Sequence, residues 1–126
     1  MRVLLVDDDN ALRKALIRLL TSCYKCEAVG FESARDALDA IRQEPEKFDA
    51  VISDVDMPIM GGPDFFEALR DLAPKLAEHF VFYTGMNGRS PFFDRVKALN
   101  QRVIEKDGPS SLKLVYEALT NMLVAV

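Results

Sequence analysis

The sequence has little of what membrane, zinc-binding and nucleic-acid-binding proteins need. No apolar run approaches the roughly 20 residues of a membrane-spanning helix, and no signal-like leader precedes "MRVLLV". With two cysteines and one histidine, the chain cannot complete an ordinary four-ligand zinc site. Its 16 basic residues are outnumbered by 20 acidic ones, whereas sequence-independent binding of nucleic acid relies on clustered positive charge. We therefore expect a cytoplasmic protein without direct contact to membrane or nucleic acid.

The two cysteines lie close together in the segment "CYKC", at Cys23 and Cys26. A redox pair with this spacing needs a turn from a strand to a helix. Here the pattern before the pair is helical, and the pattern after it is that of a strand. A structural role for both thiols is therefore favoured over a redox role.

Length and composition fit one globular domain. The 126 residues match the usual size of a single domain, and a mixture of 49% hydrophobic and 29% charged residues is typical of soluble globular proteins. Neither an internal repeat nor a low-complexity linker divides the chain. Residues 1–126 are therefore expected to form one domain.

Short apolar runs alternate with amphipathic segments along the whole chain. The runs are "RVLLV" (2–6), "EAVGF" (27–31), "AVIS" (50–53), "FVFY" (80–83) and "RVIE" (102–105). Several are apolar almost throughout, which is typical of strands covered on both faces in a parallel sheet. Between them, apolar residues recur three and four positions apart, as in helices that bury one face. Five strands alternating with five helices predict a doubly wound α/β domain.

Serines stand before three of the helical segments, where short polar side chains cap free N–H groups. They are Ser33, Ser90 with Pro91 after it, and Ser110 or Ser111. We expect the second, fourth and fifth helices to begin there.

Polar residues follow the carboxyl ends of the predicted strands. In doubly wound sheets, ligands bind in the crevice at these carboxyl ends. The polar residues are Asp7, Asp8 and Asp9 after the first strand, Asp54 and Asp56 after the third, Thr84 at the end of the fourth, and Lys106 after the fifth. If the first and third strands are neighbours, their carboxylates share one cleft. Two carboxylates ~4 Å apart repel by ~4 kcal/mol at an effective dielectric constant of ~20, so a bare cluster raises a pKa or recruits a cation. An all-oxygen site with room for water favours Mg²⁺, with Mn²⁺ as a substitute.

The acids after the first strand also have a plainer explanation. Asp or Asn before a helix caps its free N–H groups, and Asp9 or Asn10 is expected to do so for the helix that contains Leu12. Capping does not require three acids in a row, nor a second acidic pair at a distant strand end. The metal site is therefore favoured over capping alone.

Four segments, in this order and at successive strand ends, resemble the receiver domain of bacterial two-component response regulators. They are "VLLVDDD", "VISDVDMPIMGG", "VFYTG" and "VIEK". The resemblance covers essentially the whole chain and implies a flavodoxin-like (βα)5 three-layer sandwich, with five parallel strands in the order 2-1-3-4-5. The segments "NGRSPFFDRVKAL" and "RVIEK" resemble receivers of hybrid sensor kinases more than receivers that drive DNA-binding domains.

The resemblance implies that Asp54 is the phosphoacceptor and that Thr84 and Lys106 bind the phosphoryl oxygens. Such a domain takes the group from a phosphohistidine on a histidine kinase or a histidine phosphotransfer protein, in a Mg²⁺-dependent reaction. Phosphoryl transfer depends mostly on positioning and on neutralising charge, which an ammonium, a hydroxyl and a magnesium ion do together. The resemblance further implies a domain that catalyses only its own phosphorylation and dephosphorylation and is not a turnover enzyme. The added charge changes a docking surface for a downstream effector protein or domain.

The same resemblance implies the metal ligands. Asp8 would contact the ion directly and Asp7 largely through water, while Asp54 would share it and Asp56 would offer its backbone carbonyl. Asp56 and Met86 would flank the path of the water that removes the phosphoryl group. The lifetime of the aspartyl phosphate is therefore expected to depend on these two side chains.

The chain departs from the family at two places. Where the family usually has a proline after the lysine, often with a cis bond, this chain has "KDGP". A cis bond before Asp107 would cost ~3 kcal/mol, so we expect a trans bond and a different turn at Gly108 and Pro109.

Val103 stands where the family commonly has an aromatic ring whose rotation reports phosphorylation. Tyr83 is not an obvious substitute, because consecutive side chains of a strand point to opposite faces.

Two other functions fit part of the pattern. The "DVD" segment matches the D-x-D nucleophile motif of haloacid-dehalogenase-type phosphatases, but there the motif strand comes first and the acid pair last. A receiver-shaped docking module that is never phosphorylated is the second, and "KDGP" is the feature that favours it. The complete set of site residues favours a phosphorylated receiver over both.

His79, the only histidine, precedes a strand and lies on no predicted helix, so the phosphohistidine is expected on another protein. The sequence leaves the oligomeric state open.

Overall fold

Each strand is followed by a helix in the computed structural model, which describes residues 1–85 and 90–124, with only the backbone of Pro109. The strands are β1 (Arg2–Val6), β2 (Glu27–Phe31), β3 (Ala50–Ser53), β4 (Phe80–Thr84) and β5 (Arg102–Glu105). The helices are α1 (Asn10–Cys23), α2 (Ala34–Gln43), α3 (Gly62–Leu72), α4 (Pro74–Ala77), α5 (Phe93–Leu99) and α6 (Gly108–Val124). None of the helices in the described ranges is long and apolar enough to cross a membrane.

The strands form one parallel sheet in the order β2-β1-β3-β4-β5. This confirms the predicted doubly wound α/β fold and the predicted strand order. The strand bounds also agree with the apolar runs, and β4 ends in Thr84, as predicted. Because β1 lies between β2 and β3, the carboxyl ends of β1 and β3 are adjacent.

Apolar side chains cover both faces of the sheet. On one face α1 and α6 pack against strand residues such as Leu5 and Ile52. On the other face α2, α3, α4 and α5 pack against residues such as Leu4 and Phe80. Each fully buried side chain of this size contributes ~1.5–3 kcal/mol. Burial on both faces explains why these strands are apolar almost throughout instead of alternating.

Two helix starts follow the predicted caps. The side chain of Asp9 accepts the N–H of Leu12 at the start of α1, and that of Ser33 accepts the N–H of Asp36 at the start of α2. Both hydrogen bonds satisfy donors that have no partner inside the helix. Of the two candidates before α1, Asp9 is therefore the cap, and Asn10 is the first residue of the helix.

The predicted starts of the last two helices are wrong. α5 begins later, because Ser90 forms a turn in which its hydroxyl accepts the N–H of Phe92. α6 begins earlier, at Gly108, so Ser110 and Ser111 lie in its first turn. The short α4 is not apparent from the sequence, since its 4 residues are too few to show a helical period.

Ile59 lies in a strained turn between β3 and α3. Its φ is 70°, a left-handed value that β-branched residues rarely adopt, and its side chain is 93% exposed. The N–H of Met60 donates to the carbonyl of Pro58 across it at 2.8 Å, which closes a tight three-residue turn. Asparagine tolerates a left-handed φ far better. We expect Ile59→Asn to raise the free energy of unfolding by ~1 kcal/mol.

Urea denaturation followed by circular dichroism measures this change. Ile59→Val is the matched control, because valine keeps the branch at Cβ and should leave stability unchanged. A loss of stability in Ile59→Asn would contradict the assignment of strain to this residue.

Candidate functional site

The pairing of β1 with β3 brings two aspartates side by side. Val6 is aligned with Ser53 in the parallel register, and the next residues are Asp7 and Asp54. The N–H of Asp54 donates to the carbonyl of Val6 at 2.9 Å, and the N–H of Asp7 donates to the carbonyl of Phe31 at 3.1 Å. The ladder hydrogen bonds of the sheet thus extend to both residues, and their carboxylates enter one crevice.

Lys106 lies between these two carboxylates. Its Nζ is 2.8 Å from Oδ2 of Asp7 and 3.2 Å from Oδ2 of Asp54. The lysine side chain is 18% exposed, and the carboxylates of Asp7 and Asp54 are 2% and 12% exposed, so water screens these contacts little. The ammonium neutralises part of a negative charge whose burial would otherwise be costly.

Burial and charge act on Asp54 in opposite directions. Burial raises the pKa of its carboxyl, and the carboxylate of Asp7 raises it further. Lys106, the N–H of Val55 and the hydroxyl of Thr84 lower the pKa without cancelling that rise. For Lys106 burial lowers the pKa, but the hydrogen bond to Asp7 and the charges of both aspartates outweigh it and leave the pKa raised. The ammonium therefore remains charged at neutral pH.

Asp7 is held on both of its carboxylate oxygens. Oδ1 accepts the N–H of Asp9 at 2.9 Å, while Oδ2 accepts a hydrogen from Lys106. Arg13 on α1 donates to the backbone carbonyl of Asp7 at 2.8 Å and to the side chain of Asn10 at 2.6 Å. The contact of Arg13 with the acidic loop was not predicted from the sequence. An arginine one helical turn after an acidic cluster could have indicated such a contact. Arg13 fixes the loop that carries the acids.

Thr84 ends β4 beside Asp54. Its side chain is 1% exposed, and its hydroxyl hydrogen-bonds to the carboxyl of Asp54. The next residue, Gly85, has open space on the side where other residues carry a side chain. Thr84 thus lies where it can contact a group attached to Asp54. Met86, predicted to flank the water path, lies outside the described residues.

Asp56 is exposed and its side chain is engaged elsewhere. Its Oδ1 accepts the hydroxyl hydrogen of Ser90 at 2.7 Å, which ties the β3–α3 loop to the turn before α5. The two residues are 34 positions apart, and no sequence pattern predicts this contact. The role predicted for Asp56, through its backbone carbonyl, stays a prediction.

Three carboxylates in the crevice have the spacing of a metal site. One oxygen each of Asp7, Asp8 and Asp54 lies within 4.8 Å of the others. Oxygens bound to one magnesium ion at ~2.1 Å are ~3–4 Å apart, so modest side-chain adjustment brings these three to one ion. Asp8 is exposed, which leaves room for water on an ion that keeps part of its hydration shell. The donor set fits Mg²⁺.

The "KDGP" segment places Lys106 in the crevice without a cis bond. The bond between Lys106 and Asp107 is trans, as predicted. Gly108 and Pro109, expected to make a different turn, are the first two residues of α6. Gly108 has a φ of 70°, which glycine adopts without a steric penalty. The backbone N–H of Lys106 donates to the carbonyl of Thr84 at 3.0 Å and continues the β4–β5 ladder.

The histidine and the cysteines lie outside this crevice. His79 precedes β4, at the opposite edge of the sheet, with a ring nitrogen 3.2 Å from the carbonyl oxygen of Asp49. Cys23 is exposed and Cys26 is buried, and they form no disulfide. Burial raises the pKa of the Cys26 thiol, against a weaker opposing effect of the terminal ammonium. A raised pKa disfavours the reactive thiolate, in agreement with a structural role.

Known proteins resemble this chain in sequence and in fold. The family described as "Response regulator receiver domain" matches residues 3–115. A protein-glutamate methylesterase/protein-glutamine glutaminase of Bdellovibrio bacteriovorus is 30% identical over 139 aligned positions, which cover 100% of this chain and 36% of that protein. The two-component response regulator ORR26 of Oryza sativa is 49% identical over 63 residues, which cover 49% of this chain and 10% of the regulator. The chemotaxis protein CheY4 of Vibrio cholerae has a TM-score of 0.75 and 25% identity, with 96% of this chain and 97% of that chain covered.

The chain therefore spans only part of the length of these curated relatives, 36% of the esterase and 10% of the plant regulator. One relative carries an enzyme name, so the expectation that this chain is not a turnover enzyme stays a prediction. The likeness to receivers of hybrid sensor kinases also stays a prediction.

Proposed function

Because the chain belongs to the response regulator receiver domains of two-component signal transduction, we propose that Asp54 accepts a phosphoryl group from a phosphohistidine on another protein. The bond that forms joins a carboxylate oxygen of Asp54 to phosphorus. The bond that breaks joins phosphorus to the imidazole nitrogen, which keeps the electron pair. Water later cleaves the acyl phosphate and restores the carboxylate.

The observation that carries this proposal is the arrangement around Asp54. Its carboxylate contacts the ammonium of Lys106 and the hydroxyl of Thr84, and it adjoins the carboxylates of Asp7 and Asp8. Phosphoryl transfer needs little covalent chemistry from the protein and depends on positioning and on neutralising the equatorial oxygens. An ammonium and a hydroxyl beside the attacking oxygen supply both.

A divalent ion is part of the proposal. Asp8 and Asp54 would hold Mg²⁺ through carboxylate oxygens, Asp56 through its backbone carbonyl, and Asp7 largely through water, with Mn²⁺ as a substitute. A bound ion would neutralise charge on the phosphoryl oxygens. Asp7, whose oxygens already contact Lys106 and the N–H of Asp9, is best placed to orient the lysine.

The partners follow from the family. Receiver domains interact with histidine kinases and with effectors, so the donor for this chain would be a histidine kinase or a histidine phosphotransfer protein. Phosphorylation would move Thr84 toward the new oxygens and bias the face formed by α5, β5 and α6 between two conformations. The partly exposed Val103 of β5 and Leu114 of α6 give this face apolar contacts for an effector.

The test of the proposal is chemical labelling. The chain is incubated with Mg²⁺ and acetyl phosphate, and its intact mass is measured. A gain of one phosphoryl group that requires the metal supports the proposal. The absence of any gain, under conditions that label a known receiver, would refute it.

Asp8→Ala is expected to weaken Mg²⁺ binding several-fold or more. The substitution removes the exposed carboxylate of the cluster and leaves the contacts of Asp7 with Lys106 intact. Isothermal titration of Mg²⁺ measures the change in the dissociation constant.

Asp9→Asn is the matched control for this prediction. It removes the same charge from the same acidic segment, and asparagine still caps α1. Its effect on Mg²⁺ affinity should be much smaller than that of Asp8→Ala. Equal affinities for the wild type and Asp8→Ala would show that the ion lies elsewhere.

A further inference from the structure

A buried hydroxyl holds the loop that carries Lys106. Ser111 of α6 is 3% exposed. Its Oγ accepts the N–H of Asp107 at 3.1 Å and donates to the carbonyl of Gly108 at 2.7 Å. These are the two residues that follow Lys106, so Ser111 fixes the backbone immediately after the lysine.

Tyr83 completes the hydrogen bonding of that hydroxyl. Its own hydroxyl is 2.6 Å from Oγ of Ser111, and its side chain is 4% exposed. A serine hydroxyl has one hydrogen and two lone pairs, and Ser111 gives its hydrogen to Gly108. Tyr83 is therefore the donor. Ser111 then makes three hydrogen bonds, the full number that a serine hydroxyl can make.

The ring of Tyr83 also faces the ammonium of Lys106. The Nζ atom is 5.9 Å from the ring centroid, within the range of a cation–π interaction. Tyr83 directly precedes Thr84, whose carbonyl accepts the backbone N–H of Lys106. Lys106 is thus held at its own N–H, at the peptide after it, and at its ammonium.

From these contacts we propose that Tyr83 and Ser111 are positioning residues, which together hold the ammonium of Lys106 between Asp7 and Asp54 during phosphoryl transfer. The inference rests on the function proposed above. Neither hydroxyl touches the reacting atoms, and both act through the lysine. Gly108, the first residue of α6, has a φ of 70°, and glycine permits other backbone conformations at this position. The hydroxyl pair selects the conformation that aims the lysine into the crevice.

The experiment measures the rate of labelling by acetyl phosphate at saturating Mg²⁺. Tyr83→Phe and Ser111→Ala each remove one hydroxyl, and each should slow labelling by about tenfold, because small misplacements of a catalytic group are costly. The double variant should be no slower than the slower single variant, since both changes break one network.

Two comparisons separate positioning from a general effect on structure. In a Lys106→Ala background, Tyr83→Phe should cause no further loss of rate, because the group that it positions is gone. Ser110→Ala removes an exposed hydroxyl from the same turn of α6 and should leave the rate unchanged. Tyr116 of α6 stacks on the ring of Tyr24, and Tyr116→Phe is the corresponding control for the tyrosine.

A second readout does not depend on phosphorylation. Reductive methylation with formaldehyde and a borohydride, mapped on peptides by mass spectrometry, reports how accessible the amine of Lys106 is. The amine should react faster in Tyr83→Phe and Ser111→Ala than in the wild type. If the wild type takes no phosphoryl group, the proposed function fails, and this readout alone decides the inference about the loop.

Two results would overturn the inference. One is an unchanged methylation rate of Lys106 in both variants. The other is a loss of labelling rate by Tyr83→Phe that is as large in the Lys106→Ala background as in the wild type. Should Ser111→Ala fail to fold, Tyr83→Phe, which removes only one oxygen atom, answers the question by itself.

Discussion

Asp54→Asn is expected to abolish the incorporation of a phosphoryl group into the chain. The amide oxygen of asparagine can still accept the N–H of Val55, as Oδ1 of Asp54 does at 2.7 Å, but an amide is not a nucleophile toward phosphorus at neutral pH. The substitution also removes the repulsion between Asp54 and Asp7, so the variant should fold. Intact-mass measurement after incubation with Mg²⁺ and acetyl phosphate should show no gain.

Asp71→Asn is the matched control for this loss. Asp71 is exposed on α3, and the change removes the same charge without touching the crevice. Its mass gain should equal that of the wild type. A gain in Asp54→Asn equal to the wild-type gain would place the phosphoryl group on another residue and refute the assignment of Asp54. Release of many phosphate equivalents per chain from a phosphate ester would instead favour the hypothesis that the chain is a haloacid-dehalogenase-type phosphatase.

The strands could be predicted from the sequence because burial in a parallel sheet requires a recognisable pattern of apolar residues. β1, β3 and β4 are buried on both faces, so their runs are apolar almost throughout and end where polar residues reach the crevice. The strand order came from the resemblance to the receiver family. Both were confirmed, including the end of β4 at Thr84.

The helix starts were less predictable because a serine near a helix can cap it, hydrogen-bond within a turn or contact a distant residue. Ser33 caps α2 as expected, whereas Ser90 hydrogen-bonds within a turn and to Asp56, and Ser111 lies inside α6. Which use applies depends on partners that are distant in sequence. Tyr83, for example, lies 28 positions before Ser111.

The candidate site was predictable in its residue types but not in its contacts. Acids at the ends of neighbouring parallel strands must share a crevice, which follows from topology alone. The position of Lys106 did not follow, because "KDGP" removes the usual proline after the lysine. The structure shows the lysine between Asp7 and Asp54, with Ser111 hydrogen-bonded to Tyr83 and to the N–H of Asp107.

Lys106→Met is expected to lower the free energy of unfolding by about 3 kcal/mol in the absence of divalent ions, since breaking a buried ion pair leaves uncompensated charge. Asp7 is 1% exposed, and its Oδ2 would lose the ammonium at 2.8 Å. Methionine keeps a similar length and apolar stem. The chain has no tryptophan, so urea denaturation is best followed by far-ultraviolet circular dichroism.

The exposed Lys113 of α6 provides the control for this prediction. Its Nζ is 4.0 Å from Glu117 and its side chain is 68% exposed, so Lys113→Met should change stability by less than about 0.5 kcal/mol. Adding Mg²⁺ should reduce the deficit of Lys106→Met, because a cation bound among the carboxylates replaces part of the lost charge. Equal stabilities of the two variants would show that the ammonium of Lys106 does not hold these carboxylates together.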